Sequence, residues 1–165
     1  MILPDLPAFL QDAHQPRDND ERLALLGVCQ FQGLNRAAAR LYADAFAADP
    51  KLANDLAAGH RYNAARFAAL AASGQGKDAP KLDDPERTRL RRQALDWLRA
   101  DLAAWAGAKD RALAQRTLRR WQQDADLAGV RAPEALAGLA RAEREAWGHL
   151  WSDAAALLEK AGGQK

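Results

Sequence analysis

The sequence holds almost nothing from which to build a sheet: valine stands only at Val28 and Val130, and isoleucine only at Ile2. Strands draw on such β-branched residues, so their scarcity excludes a β-rich domain. The single cysteine, Cys29, cannot form an internal disulfide and points to a reducing compartment. No apolar run approaches the ~20 residues of a membrane span. The leading MILPDLPAFLQ carries Asp5 and two prolines and lacks the basic start of a signal peptide. An excess of one charge sign is missing too, since 24 basic against 22 acidic side chains leave a net +2. That balance does not by itself attract phosphate backbones or anionic membranes. A soluble, cytoplasmic chain without membrane insertion is expected.

Apolar residues make up 48% of the chain, and much of that is alanine. Alanine is the strongest helix former and lets helices pack backbone to backbone, so the expected class is all-α. At 165 residues the chain is long enough for one domain with its own core.

Residues 2–20 hold Pro4, Pro7 and Pro16, which exclude one long helix there. They read as a linker whose Phe9 and Leu10 dock on the first pair of helices. From Glu21, the residues Leu23, Leu26 and Cys29 or Gln30 start a helical stripe that ends near Gly33. A second helix, Asn35 to Ala48, sets Ala38, Leu41, Tyr42, Ala45 and Phe46 on one face. Asp49-Pro50 is a helix-start signal, and the helix it opens runs in two pieces to about Ser73 with a break at Gly59. SGQGKDAPKLDD, residues 73–84, is the clearest loop.

Asp84-Pro85-Glu86 restarts a helix to about Ala106, capped by the same logic as Asp49-Pro50. Gly107 ends it, and Asp110 caps a further helix to Gln123. A short helix is expected near Pro133 to Ala137, then a long one from Arg141 to about Ala161, stopped by Gly162-Gly163.

Helix, glycine turn, helix, Asp-Pro resembles a tetratricopeptide repeat, whose period is about 34 residues. Gly33, Ala38, Tyr42, Ala45 and Pro50 fall where that repeat wants them, although Leu26 holds the place of its first-helix glycine and Gly27 comes next. A second repeat pairs HRYNAARFAALAASG with RLRRQALDWLRADLAAW. Its matching Ala94 lies 56 positions after Ala38, an excess that the loop and a longer first segment absorb. The chain thus divides into a linker (1–20), one repeat (21–50), a degenerate repeat with the 73–84 insertion (51–106) and a helical capping region (107–165). The expected fold is a tetratricopeptide-like stack of antiparallel helix hairpins, an α-solenoid fragment closed by a C-terminal capping helix.

The strings AAARLYADAFAADPKLANDLAAGHRYNAA, LRRWQQDADLAGVR and REAWGHLWSDAAALL, together with the loop and the second repeat, also resemble the carboxy-terminal tetratricopeptide-type region of planctomycete-type bacterial serine/threonine protein kinases. That resemblance implies a non-catalytic module of a signalling protein. The kinase motifs themselves are absent: no glycine-rich loop, no VAIK-like lysine, no HRD and no DFG.

In such repeats the first helices line the concave face, which places Leu23, Gly27, Gln30, Tyr62, Arg66 and Ala69 towards a protein or peptide ligand. Tyr62 has a second reading as a core residue. Leu23 and Gly27 stand where a carboxylate-gripping repeat carries polar groups, so an extended or helical peptide suits this groove better than a terminal carboxylate. No catalytic site, cofactor or metal site is expected. His14, His60 and His149 are far apart, and Cys29, with no base pattern around it, reads as an apolar filler.

The five tryptophans mostly lie on apolar stripes, and Arg116, Arg119 and Arg120 with Asp101 or Asp124 read as a solvated face, so no nucleic acid is expected. Two alternatives remain open. One is a structural cap within a longer repeat array, and the other is a nucleic-acid-binding helical domain.

Overall fold

Each half of the chain begins where a short acidic side chain satisfies free backbone N–H groups. In the computed structural model, which describes residues 16–163, α1 spans Asn19–Gln32 and the Asp18 carboxylate accepts from Glu21 N at 2.9 Å. Gly33 closes α1 at φ 72°, a left-handed conformation that side chains with a Cβ resist. α2 spans Asn35–Ala48, as its apolar spacing predicts. The expected docking of Phe9 and Leu10 lies outside the described residues.

Asp49 caps the short α3, Pro50–Asn54, through Lys51 N at 3.2 Å, and α4 spans His60–Ala72. The break between them is the turn of residues 55–59, which ends at Gly59, φ 70°. α5 spans Asp84–Ala106, but its cap is Asp83, which accepts from Glu86 N at 2.9 Å. Asp84 is instead the first helical residue. Pro85 sits one place further in than the Asp-Pro pattern suggests.

α6 spans Arg111–Gln123 and is capped by Asp110 through Leu113 N at 2.9 Å. A 3-10 helix, Ala125–Val130, comes next, in a stretch where no helix is expected from the apolar spacing. α7 spans Pro133–Ala137 and α8 spans Arg141–Gly163. Gly162 and Gly163 are the last two residues of α8. Gly162 lies beside the Gln115 side chain of α6, where the end of α8 packs. Among the described residues there is no strand.

The helices pack in succession: α1 on α2, α2 on α4, α4 on α5, then α8 against both α5 and α6. α4 is the centre, with Ala64, Ala65, Ala68, Ala69, Ala71 and Ala72 all buried. These small side chains let α2 and α5 approach it from two sides, and larger ones fill the gaps. Tyr42 meets Phe46 and Phe67 with ring centroids 5.6 and 6.1 Å apart, and Phe46 meets Trp97 edge-on at 5.7 Å. Trp121 and Trp147 are fully buried. One charge pair crosses this core, Arg61 Nη1 to Asp101 Oδ1 at 3.3 Å. Burial pushes the Asp101 carboxyl up to about 6, against the opposing pull of Arg61.

The loop between α4 and α5 is a clasp. Asp78 accepts from Arg36 N at 3.1 Å and from Ala37 N at 2.9 Å, capping α2, whose own cap residue Leu34 offers no side-chain acceptor. Lys77 N donates to Gly33 O at 2.9 Å, and Asn35 Nδ2 donates to Gln75 O at 3.0 Å. Gly76 sits at φ 104°, where a Cβ would meet Gly33 O at 2.8 Å. The loop thereby ties the second hairpin to the turn of the first.

Candidate functional site

The six residues expected to line one groove separate into two groups of three. On α1 the buried stripe is Leu25, Leu26 and Cys29, which leaves Leu23 on its flank, half out of the core and still bordering the small space on the inner side. Leu23 is 44% exposed, Gln30 is exposed, and a Cβ on Gly27 would meet nothing within 4 Å. Phe31, which falls outside the expected groove set, is 92% exposed. At 100° per residue, positions 23, 27, 30 and 31 share one side of the helix. Phe31 and Gly27 thus face away from the core, with Leu23 at the edge of that side and Gln30 reaching back to Tyr42.

The inner side of α1 offers no such opening. The space walled by Leu23, Leu26, Leu41, Tyr42, Phe46 and Leu52 is about 10 Å³, at the lower limit for one water. Any ligand of α1 therefore meets its outer side.

Tyr62, Arg66 and Ala69 of α4 lie under the 3-10 helix and α6. Tyr62 is 5% exposed and Ala69 is 1% exposed. The Tyr62 ring stacks on Trp121 with centroids 5.9 Å apart and planes at 4°, and its hydroxyl donates to Asp124 Oδ2 at 2.5 Å. Burial raises the tyrosine hydroxyl well above its ordinary range, and the Asp124 carboxylate adds to the shift.

Arg66 turns towards the same segment. Its Nε lies 3.2 Å from Asp124 Oδ2, its Nη2 donates to Asp126 Oδ2 at 2.5 Å, and its Nη1 donates to Asn63 Oδ1 at 3.0 Å. Arg66 thus fastens Asp124 and Asp126 across α4. The groove face of α4 is closed by the chain's own residues. A sequence signal for this existed in Asp124-Ala-Asp126-Leu-Ala-Gly-Val130, where two carboxylates precede two apolar residues three apart. Leu127 and Val130 are indeed buried.

Beside this network a cleft of about 450 Å³ opens between Arg66, Arg116, Arg119, Arg120, Gln123 and Asp124. Arg120 lies over the Tyr62 ring at 5.6 Å, a cation–π contact. Arg116, Arg119 and Arg120 are exposed. Of their expected neighbours, Asp101 is instead buried against Arg61, whereas Asp124 lines the cleft with them and pairs with Arg66. With four arginines and one carboxylate in its lining, the cleft carries an excess of positive charge. Four of the five tryptophans, Trp97, Trp105, Trp121 and Trp147, are core residues. Base stacking has no platform in those four.

Cys29 is fully buried, and burial, then the Asp78 charge, pushes its thiol up to about 12. A thiol held that high is protonated at neutral pH and does not act as a nucleophile. Among the described residues no three His, Cys, Asp or Glu side chains converge as metal ligands, and no helix is long and apolar enough to cross a membrane. No family model, no curated protein and no solved structure matches this chain.

Proposed function

We propose that the chain is a non-catalytic protein–protein interaction module, a tetratricopeptide-like stack of helix hairpins that binds a helical segment of a partner protein. The observation that carries this reading is the outward stripe of α1, where Phe31 is 92% exposed and shares a face with Leu23 and Gly27. Leu23, Gly27 and Phe31 recur at intervals of four, the spacing of ridges that interlock when two helices pack. Gly27, with open space before it, admits close approach of a second backbone.

A monomer gains nothing from displaying Phe31 to water. Covering Phe31, 92% exposed, is worth ~1.5–3 kcal/mol before the cost of association, and Leu23, 44% exposed, adds roughly half as much. The partner is accordingly an amphipathic helix with an apolar stripe of its own. A signalling role beside a bacterial serine/threonine kinase, in the cytoplasm, belongs to the same proposal and is supported by the sequence resemblance.

A second reading, a cap for a longer repeat array, is favoured by the far end of the molecule. Arg144, Glu145, His149, Asp153, Glu159 and Lys160 of α8 are exposed, giving the polar outer face that a solenoid end needs. On that reading α1 meets a preceding repeat.

The test compares affinity capture by wild type, Phe31→Asp and His149→Asp, with equal helicity verified by circular dichroism. The proposal expects a partner that wild type and His149→Asp retain and Phe31→Asp loses. Equal retention by all three removes α1 as the docking face. Arg66→Glu is a poor probe, because it sets a third carboxylate against Asp124 and Asp126 and so loosens the fold itself.

A further inference from the structure

The longest stretch of this chain without a charge lies on α1 and its turn. Leu23 to Asn35 is thirteen residues with no Asp, Glu, Lys or Arg, in a sequence of which 28% is charged. At 100° per residue, Asp20, Ala24, Gly27 and Phe31 fall on one side of α1, and all four are exposed. Phe31 stands 92% exposed beside Ala24 and Gly27, which leave room around them. One helix thus presents a large apolar side chain and, within two turns of it, space to seat another.

The charges that bound this face are of opposite sign. Asp20 is exposed at its start, and Arg36, its side chain 45% exposed, follows the turn at its end. Arg36 reaches Glu86 at 3.5 Å, while Glu86 holds Arg89 at 2.6 Å. Glu21 and Arg22 turn elsewhere, Glu21 to Arg17 and Arg22 to the inner side of α1. Two α1 helices laid antiparallel set the acidic end of each against the basic end of the other, whereas a parallel pair sets like charges together. About an axis between Gly27 and Val28, position 24 of one copy faces position 31 of the other. Each Phe31 then covers Ala24 and Gly27 across the pair.

We propose that the occupant of this face is a second copy of the chain, with α1 packed antiparallel on α1 of its partner. The inference rests on the reading of α1 as a docking face and names the helix that docks there. A face with charge of one sign repels its own copy, but this one is neutral between ends that attract. The aromatic ring and its seat each occur once per copy, so a two-fold arrangement uses both twice and closes on itself. A single pair of helix faces falls below the ~800 Å² per partner of a standard interface, so the dimer is weak and depends on concentration.

Sedimentation equilibrium of the full chain, from about 10 to about 500 µM to suit a small interface, compares wild type, Phe31→Asp and His149→Asp, each with the same circular dichroism. A monomer–dimer equilibrium is expected for wild type and His149→Asp. Phe31→Asp removes two rings per dimer, each worth ~tenfold or more, and should weaken the dimer at least about a hundredfold. Mild oxidation reads the orientation: Gly27→Cys, beside the axis, should give a disulfide-linked dimer, and Asp20→Cys, far from it, should not. A wild type that stays monomeric throughout overturns the second copy as occupant, and the docking face is then judged separately by whether Phe31→Asp loses a captured partner. Dimerisation by Phe9→Asp/Leu10→Asp but not by wild type also overturns it, and gives the face to the chain's own N-terminal segment. So does a dimer that Phe31→Asp leaves intact, or equal disulfide formation at both positions.

Discussion

Replacing Asp124 by alanine tests how the 3-10 helix is held over α4. Three interactions end together. The Tyr62 hydroxyl loses its acceptor at 2.5 Å while its ring stays buried, at a cost of ~1 kcal/mol or more. The cap on Asp126 N, at 3.0 Å, is worth ~1 kcal/mol. The Arg66 contact at 3.2 Å adds only ~0.5 kcal/mol, because Arg66 is partly exposed and keeps Asp126. The sum is about 2.5 kcal/mol, or roughly 5–10 °C in Tm for a chain of this size.

Tyr62→Phe alone removes the hydroxyl and keeps the stacking on Trp121, so it should cost ~1 kcal/mol. Urea denaturation of the two single variants and the double variant, monitored by circular dichroism, then gives a coupling energy of ~1 kcal/mol. Additivity within ~0.5 kcal/mol, or a loss under ~0.5 kcal/mol for Asp124→Ala, would refute the account of this network.

Asp78→Ala leaves Arg36 N and Ala37 N without their cap and should cost ~1–2 kcal/mol by urea denaturation, whereas a loop that merely connected two helices would tolerate it. Asp101 sets a pH dependence whose sign is given by its raised carboxyl. The unfolded chain releases this proton near 3.8 and the folded chain near 6, so the folded state binds more protons in between and stability falls as pH rises through that window. At ~1.4 kcal/mol per pH unit, the effect is on the order of 3 kcal/mol. Comparing wild type with Asp101→Asn at pH 4 and pH 7 isolates it. If wild type instead gains relative to the variant as pH rises, Arg61 outweighs burial.

Much of the helical framework was legible because its signals are local. Asn35 to Ala48 and Asp84 to Ala106 can be read from apolar spacing and from the residues flanking them, and both helices have those bounds. The register of the α5 cap was missed by one residue, since Asp83 and Asp84 are chemically identical and only geometry selects between them. What stayed hidden depends on contacts distant in sequence. Asp78 caps a helix about forty residues earlier, and Asp124 meets Tyr62 some sixty residues before it. Helical spacing told which residues of α4 share a face, yet it carried no information about which element covers that face. Tyr62 and Ala69 are buried for that reason. Phe31 is the reverse case, a residue whose type reads as core and whose position on α1 turns it outward.

The docking role of α1 is tested most directly by site-specific photo-crosslinking in living cells. A benzophenone amino acid replaces Phe31 in one strain and His149, on the outer face of α8, in another. The account predicts a discrete heavier adduct from position 31, absent from position 149, and abolished when Gly27→Arg blocks approach to the stripe. No adduct at position 31, or the same adducts from both positions, would contradict it.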